Sequence, residues 1–242
     1  MASRANIRLL AVAAALGTFA STANAAPPRA VIELFTSQGC SSCPPADKLL
    51  ATLAKDPSVI AISLPVDYWD RLGWKDTLAK HAFTERQQAY AAVRGDGQVY
   101  TPQAVVNGSE HAVGSQASAV EAAIGATQQN LRVALNAERK ADNLLVSIGA
   151  SEGQAVEGTV LLLPVLDSRE VAIGRGENAR SKVTYTNVVR DIIPAGQWSG
   201  KALTLTIPAG KFKSFDGLVV LLQSGTIDKP GSILGAARTS LH

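Results

Sequence analysis

The first 130 residues alternate short apolar runs with segments whose apolar residues recur at helical spacing. The runs Ala30–Phe35 and Val59–Val66 predict two buried strands. Between them, the segment Ala46–Leu53 carries its apolar residues at i, i+3, i+4 and i+7, which predicts one face of a helix. A second helical pattern extends from Asp76 to Val93, and a third from about Gln116 to Ile124.

A hairpin is predicted between the second and third helical patterns. The extended run Gln103–Val106 leads into Asn107-Gly108, a strong turn signal because both residues tolerate positive φ. The resulting order is β-α-β-α-β-β-α. It indicates an α/β domain over residues 26–129.

From about Leu131 the hydrophobic period changes to two. Short strands separated by polar or glycine-rich turns predict an antiparallel β-sandwich over residues 130–242. The boundary is placed near Gln128 to Asn130, where the alanine-rich helix ends.

The extreme amino terminus has a different pattern. Arg4 and Arg8 precede the apolar run Leu9–Ala20 and the small-residue motif Ala23-Asn24-Ala25, which together predict a cleavable signal peptide over residues 1–25. Its apolar core is too short for a permanent transmembrane helix. The mature protein, beginning near Ala26, is therefore expected to be periplasmic or secreted, with no membrane association after signal cleavage.

The net charge of the mature chain does not indicate a particular class of partner. The 23 basic residues less Arg4 and Arg8 leave 21, against 20 acidic residues, so the mature chain is close to neutral. It has no basic run and no aromatic–basic stripe, which argues against a nucleic-acid partner.

The candidate chemistry lies in the two cysteines, Cys40 and Cys43, where the first strand gives way to the first helix. A thiolate can attack a partner's disulfide, and a second thiol three residues away can then release that partner. The alternatives are a structural disulfide or half of a metal site. A bond across two residues closes too short a loop to add much stability.

No metal or other cofactor is expected. Zinc in a structural site has four protein ligands, and this chain has only two cysteines and three scattered histidines. A copper-handling role is poorly supported, since the chain has a single methionine.

The CxxC after the first strand and Thr101-Pro102 before the hairpin, with Val113-Gly114 beyond it, resemble the thioredoxins. This resemblance implies a thioredoxin-like fold. It implies that Cys40 attacks from the exposed start of the helix and that Cys43 resolves. It also implies that Pro102 is cis and faces the cysteines, with Thr101 before it, and that Glu33 is a buried acid that assists proton transfer. The alternative for Glu33 is a side chain that points to solvent from an edge strand.

A second resemblance covers the whole mature chain. The stretch from Glu33 to Asp47, the segment Val66–Asp70 and the triplet Gly176-Glu177-Asn178 are similar to the secreted family known as domain of unknown function 1223. It implies export and a fold but no activity. The polar residues Arg175, Glu177, Asn178 and Arg180 in this link between strands are interpreted either as a recognition loop or as a solvated turn, and the turn is preferred.

Four further candidates follow the second strand: Asp67, Tyr68, Trp69 and Asp70. The carboxyl end of a strand in an α/β sheet is where sites gather. These residues are interpreted either as a substrate-binding rim or as packing against the second domain.

The sequence thus predicts an α/β thioredoxin-like domain followed by an all-β antiparallel sandwich domain. The predicted function is thiol–disulfide exchange on exported proteins that carry thiols or disulfides, and a separate redox protein is a further candidate partner. The alternative is a non-catalytic binding or accessory module with a structural disulfide.

Overall fold

The structure is a computed structural model that describes residues 27–151 and 156–242. The predicted signal peptide lies outside the described residues. None of the helices in the described part combines the length and apolar composition needed to cross a bilayer.

The amino-terminal part alternates strands and helices in the predicted order. Its elements are β1 (Ala30–Thr36), α1 (Pro44–Leu53), β2 (Val59–Pro65), α2 (His81–Arg94), β3 (Gln103–Val106), β4 (Glu110–Val113) and α3 (Ala117–Thr127). Pro44 and Pro45 occupy the first turn of α1, where a missing N–H does not matter. The predicted turn is present between β3 and β4, with Asn107 and Gly108 both at positive φ.

The rest of the described chain is almost entirely extended. Its strands are β5 (Leu135–Lys140), β6 (Asn143–Ile148), β7 (Gly158–Ala172), β8 (Lys182–Val189), β9 (Ile193–Trp198), β10 (Leu203–Pro208), β11 (Gly217–Gly225) and β12 (Pro230–Ser240). Short 3-10 helices cover Asp70–Leu72, Gln128–Asn130 and Ala209–Phe212.

The predicted fold class is wrong. Strands from both halves of the chain form one mixed sheet of nine strands, in the order β12-β11-β7-β8-β2-β1-β3-β4, with β9 also paired to β7. The junction is β2, which pairs in parallel with β8 through Ser63 and Val188. β8 therefore covers backbone groups that an independent α/β domain would leave unpaired along that edge. An α/β thioredoxin-like domain followed by a separate sandwich does not describe this arrangement.

The large sheet is strongly curved. The backbone N–H of Ile233 in β12 donates to the carbonyl of Asn107 in the β3–β4 turn, at 2.9 Å, so the two ends of the sheet approach each other. A side chain on Gly108 would lie 2.6 Å from the carbonyl oxygen of Gly231, so this approach requires glycine. Where the chain divides into folding units stays a prediction.

Side chains of β1 alternate between two layers, as the period of a strand requires. Ile32 and Leu34 belong to the core that α1 and α3 cover. Val31 and Phe35 belong to the core on the other face, which includes Phe83 of α2. Elsewhere the three-stranded sheet β10-β6-β5 closes a further apolar core with residues of β7, β11 and β12.

Candidate functional site

The two cysteines form a disulfide at the start of α1, with Cα atoms 5.4 Å apart. Residues 37–43, here called the disulfide loop, link β1 to the helix. Tight turns shape this loop, since the N–H of Cys40 donates to the carbonyl of Ser37 and that of Cys43 donates to the carbonyl of Cys40. Cys43 is the N-cap of α1.

Neither cysteine is exposed, which corrects the expectation that Cys40 lies at an exposed helix start. Trp69 packs against the disulfide loop at Gly39, where an added Cβ would lie only 3.0 Å from the Cβ of Trp69. The outer surface of the loop consists of Ser41 and Ser42, both exposed. In this form the disulfide is shielded from a large partner.

The Thr101-Pro102 bond is cis, as predicted. The carbonyl oxygen of Thr101 lies 3.5 Å from the hydroxyl of Ser42, which stands between the two cysteines. The hydroxyl of Thr101 accepts a hydrogen bond of 2.8 Å from the indole N–H of Trp69. The fold therefore brings together the disulfide loop, Trp69 and the Thr101-Pro102 segment.

Glu33 is buried as predicted but points to the other face of β1 from α1. Its oxygens lie 2.7 and 3.0 Å from the guanidinium of Arg86, and the hydroxyl of Tyr90 donates to it at 2.5 Å. Arg86 also donates to Gln223 at 3.0 Å. These four side chains are the ionic core. None of the hydrogen bonds of Glu33 within the described residues reaches the disulfide.

In the ionic core, the positive charge of Arg86 is paired with the negative charge of Glu33. Burial opposes the charged form of Arg86, yet the carboxylate of Glu33 holds the pKa of Arg86 above its ordinary value. Burial also raises the pKa of Tyr90 well above its usual range. A buried charge persists when it is paired and hydrogen-bonded, so these contacts give Glu33 a structural part in the fold.

A different acid, Asp47, lies one helical turn after Cys43. Its N–H donates to the carbonyl of Cys43 at 3.1 Å, so the two residues are one turn apart on the same side of α1. The side chain is buried, and neither carboxylate oxygen has a hydrogen-bond partner among the described residues. Burial raises the pKa of Asp47 to about 7; the nearby hydroxyl of Thr36 opposes this shift and the charge of Asp76 adds to it.

Asp76 holds the disulfide loop from the other side. It accepts a hydrogen bond of 2.8 Å from the N–H of Gln38, and others from the N–H groups of Leu78 and Ala79. Burial raises the pKa of Asp76. Asp70 in turn accepts from the N–H of Asp76 at 3.0 Å.

Residues 173–181, between β7 and β8, contact the disulfide loop and are called the Asn178 loop. The amide of Asn178 donates to the carbonyls of Gln38 and Cys40, at 3.0 and 2.8 Å. Trp74 lies beneath this loop, because a Cβ on Gly174 would be 2.9 Å from its ring. Its indole N–H also donates to the side chain of Gln38 at 2.9 Å.

The preferred interpretation of residues 175–180 as a solvated turn thus did not include the contact of Asn178 with the disulfide loop. Its binding partners are 138 and 140 residues away in the sequence. The only signal in the sequence is the triplet Gly176-Glu177-Asn178, which is part of the family resemblance and has no role attached to it.

Comparison with known proteins assigns the chain that forms this site to a family. Residues 31–223 match the family described as "Protein of unknown function (DUF1223)". The chain belongs to the DUF1223 family. That stretch contains the disulfide, Asp47, Thr101-Pro102 and Asn178. No curated protein matches the chain.

Two solved structures are similar to this DUF1223 protein. Protein AGR_C_4864 from Agrobacterium tumefaciens is 33% identical with a TM-score of 0.80, over 89% of this chain and 96% of that chain. HBP35 of Porphyromonas gingivalis is 12% identical with a TM-score of 0.59, over 88% of this chain and 75% of that chain. The second likeness concerns the fold alone.

The four predicted rim residues of this DUF1223 protein divide between two tasks. Asp67 accepts hydrogen bonds from Thr84 at 2.6 Å and from His81 at 2.9 Å, both on α2. Partial burial raises its pKa, but these bonds outweigh that effect and lower it. Tyr68 donates to Gln87, also on α2, at 3.3 Å. Trp69 and Asp70 instead support the disulfide loop, directly and through Asp76.

The described part of this DUF1223 protein contains no cluster of three or more histidine, cysteine or acidic side chains that could hold a metal ion. What the site does contain is a dithiol pair in its oxidised form, a helix N-terminus and an unpaired buried carboxyl group. These groups are sufficient for thiol chemistry that involves proton transfer.

Proposed function

We propose that this protein is an exported thiol–disulfide oxidoreductase. The observation that carries the proposal is the unpartnered carboxyl group of Asp47, one helical turn from Cys43 and raised to a pKa of about 7. A buried acid without hydrogen-bond partners is costly to the fold. A group that titrates near neutral pH can both accept and return a proton. Proton transfer to and from the cysteines would explain why the protein retains a destabilising buried acid at this position.

The reaction begins with the reduced pair and requires the Asn178 loop to move away from the disulfide loop, because Cys40 is buried in the oxidised form. The thiolate of Cys40 attacks one sulfur of a partner's disulfide, a mixed disulfide forms, and the partner's other sulfur leaves as a thiolate. Cys43 then loses its proton to Asp47 and attacks the sulfur of Cys40. The Cys40–Cys43 bond forms again and the partner's second sulfur leaves as a thiolate.

Two electrons pass from the cysteine pair to the partner in this cycle. The reduced pair is restored by a separate dithiol protein, or the reaction runs in reverse on partners that carry free thiols. The N-terminus of α1 favours the thiolate form of the attacking cysteine. The segment Thr101-Pro102 offers its backbone beside the pair, and Thr101 and Trp69 line the approach.

The proposal also includes export, which rests on the pattern of residues 1–25. The partners are then exported proteins with thiols or disulfides, in a compartment where disulfides form and persist.

A second candidate function is a binding or accessory module in which the disulfide is structural. The complete burial of both cysteines favours it. The two candidates differ in redox potential: catalytic dithiols lie at roughly −120 to −270 mV, whereas structural disulfides lie below about −300 mV. Equilibration of the mature protein in dithiothreitol redox buffers measures this potential directly.

A trapping experiment identifies the attacking thiol. Reduced Cys43→Ser protein should accumulate mixed disulfides through Cys40, because the resolving thiol is missing. The matched variant Cys40→Ser should trap almost nothing. Adding Asp47→Asn to an otherwise intact pair should slow the release step, most strongly near neutral pH. A potential below about −300 mV together with no trapped partner would support the accessory-module function instead.

A further inference from the structure

A cavity lies away from the disulfide, between β7, β9 and β10. Its volume is about 480 Å³, within the range of small-molecule sites. The 3-10 helix Ala209–Phe212 and Phe215 close it at one side. Neither cysteine lines it, so the cavity is a separate place in the fold from the disulfide.

The body of this cavity is apolar. Leu162, Ile193, Ile207, Phe212 and Phe215 line it, and all five also belong to, or pack against, the core between the two sheets. Their positions are therefore held by the packing of both sheets. Leu162 and Phe212 are already buried, so an apolar ligand would remove from water the partly exposed Ile193, Ile207 and Phe215 without reshaping the fold.

Three cations surround the cavity: Lys80, Arg190 and Lys211. No ion pair in residues 27–151 and 156–242 involves any of them. The single acid of the lining, Asp191, is exposed and accepts a hydrogen bond from the N–H of Ile192. The cavity therefore carries an excess of positive charge above an apolar floor.

Of the three cations, Arg190 gives the strongest indication of an anion-binding site. It is partly buried and donates to the carbonyl of Leu78 at 2.7 Å, and burial lowers its pKa although the carboxylate of Asp76 opposes this. A guanidinium has five N–H donors, of which only one has this partner. A partly buried cation that lacks a paired carboxylate is suited to receive an anionic group from a ligand.

We propose that this cavity binds an amphipathic carboxylate, a molecule with an apolar chain and a single anionic head. The chain would lie on Ile193, Ile207 and Phe215, and the head would lie among Lys80, Arg190 and Lys211. The charge excess selects an anion over a neutral or cationic amphiphile. The exposed Asp191 at the same rim disfavours a doubly charged head.

The test uses the full mature chain and decanoate below its micellar concentration, in isothermal titration calorimetry. Decanoate should bind saturably with one site, whereas decanol and decyltrimethylammonium should bind much more weakly. The double variant Lys80→Gln, Lys211→Gln should bind decanoate about tenfold more weakly, because two partly screened attractions are lost. Lys201→Gln, which does not line the cavity, is the matched control and should bind normally.

A second pair of variants tests the cavity itself. Ala195→Trp on β9, a lining residue that packs against the core, should fill it and abolish binding, whereas Thr204→Trp on β10, exposed and outside the lining, should bind as the wild type does. Absence of saturable decanoate binding would overturn the proposal. So would equal binding of decanol and decanoate with no effect of the lysine variants, since this would mean adsorption on apolar surface only.

Discussion

Glu33 and Asp47 are both buried acids on consecutive elements of the chain, but their surroundings differ. Glu33 on β1 has an arginine and a tyrosine on its carboxylate. Asp47 on α1 has no hydrogen-bond partner for either oxygen within the described residues. Glu33 therefore contributes to the stability of the fold, whereas the burial of Asp47 lowers it when the carboxyl group is ionised. The comparison teaches that burial alone does not identify a functional acid; a missing partner beside a reactive group does.

The largest expected effect concerns the paired acid. Arg86→Leu removes the only cation of the ionic core and leaves Glu33 buried and uncompensated. The free energy of unfolding should fall by about 3–5 kcal/mol. Urea denaturation of the oxidised protein measures it.

The double variant Glu33→Leu, Arg86→Leu is the control for this first prediction. It removes both charges together and should recover a large part of the loss. A loss below about 1 kcal/mol for Arg86→Leu alone would mean that the pair is not electrostatically isolated from solvent.

The second prediction concerns the unpaired acid, Asp47, and the pH dependence of the protein's stability. The pKa of Asp47 in the folded state, about 7, lies above the ordinary value of 3.8. At a pH between these two values, Asp47 is protonated in the folded protein and ionised in the unfolded chain. Stability from this group is fully present below about pH 4 and is lost as the pH rises to about 7. The loss is up to about 4 kcal/mol.

Asp47→Asn has no such proton to lose, so its stability relative to the wild type should increase from about pH 4 and level off above about pH 7. Chemical denaturation at a series of pH values gives the two slopes. Asp228→Asn, an exposed aspartate, should reproduce the wild-type slope. Parallel curves for Asp47→Asn and the wild type would show that Asp47 is ionised in the folded protein and would remove the basis of its role as a proton acceptor.

The third prediction concerns access to the disulfide. Asn178→Ala removes two hydrogen bonds from the Asn178 loop to the disulfide loop, each worth about 1 kcal/mol. Reduction by dithiothreitol should become about tenfold faster, because the covering loop opens more often. Quenching with an alkylating reagent and counting modified cysteines by mass gives the rate.

Glu177→Ala changes the exposed neighbour and should leave this rate unchanged. If Asn178→Ala is reduced no faster than the wild type, the Asn178 loop does not control access, and Trp69 becomes the residue to test.

The smallest expected effect is at Trp69. Trp69→Phe loses the hydrogen bond to the hydroxyl of Thr101 and should lower the free energy of unfolding by about 1 kcal/mol. A cycle with Thr101→Val should show that the two changes are not additive, because they remove the same contact. Full additivity would mean that the contact contributes nothing to stability.

Several features of the fold and the site were predictable because they depend on neighbouring residues. The CxxC spacing placed both cysteines in one turn, and Asn107-Gly108 specified a tight turn through its tolerance of positive φ. The order of strands and helices up to α3 followed from hydrophobic period alone. The cis bond before Pro102 followed from the resemblance to thioredoxins.

Glu33 shows where such reasoning failed. The strand predicted a buried residue, but the face to which Glu33 points depends on which partners lie on each side of the sheet. Only the tertiary structure supplies these partners: Arg86 is 53 residues from Glu33, and Gln223 is 137 residues from Arg86. Asp47 gives no signal in the sequence, because an aspartate in the first turn of a helix is ordinarily a solvated residue near the helix dipole.

The sequence by itself determined the local elements and the chemistry of the CxxC pair, since both arise within a few residues. The single curved sheet, the burial of the disulfide, the contacts of Trp69 and the Asn178 loop with the disulfide loop, and the isolation of Asp47 were decided only by tertiary structure. Each depends on contacts between residues far apart in the chain, such as the pairing of β2 with β8. Hydrophobic period does not encode which strand edge meets which, and here that choice joined two predicted domains into one sheet.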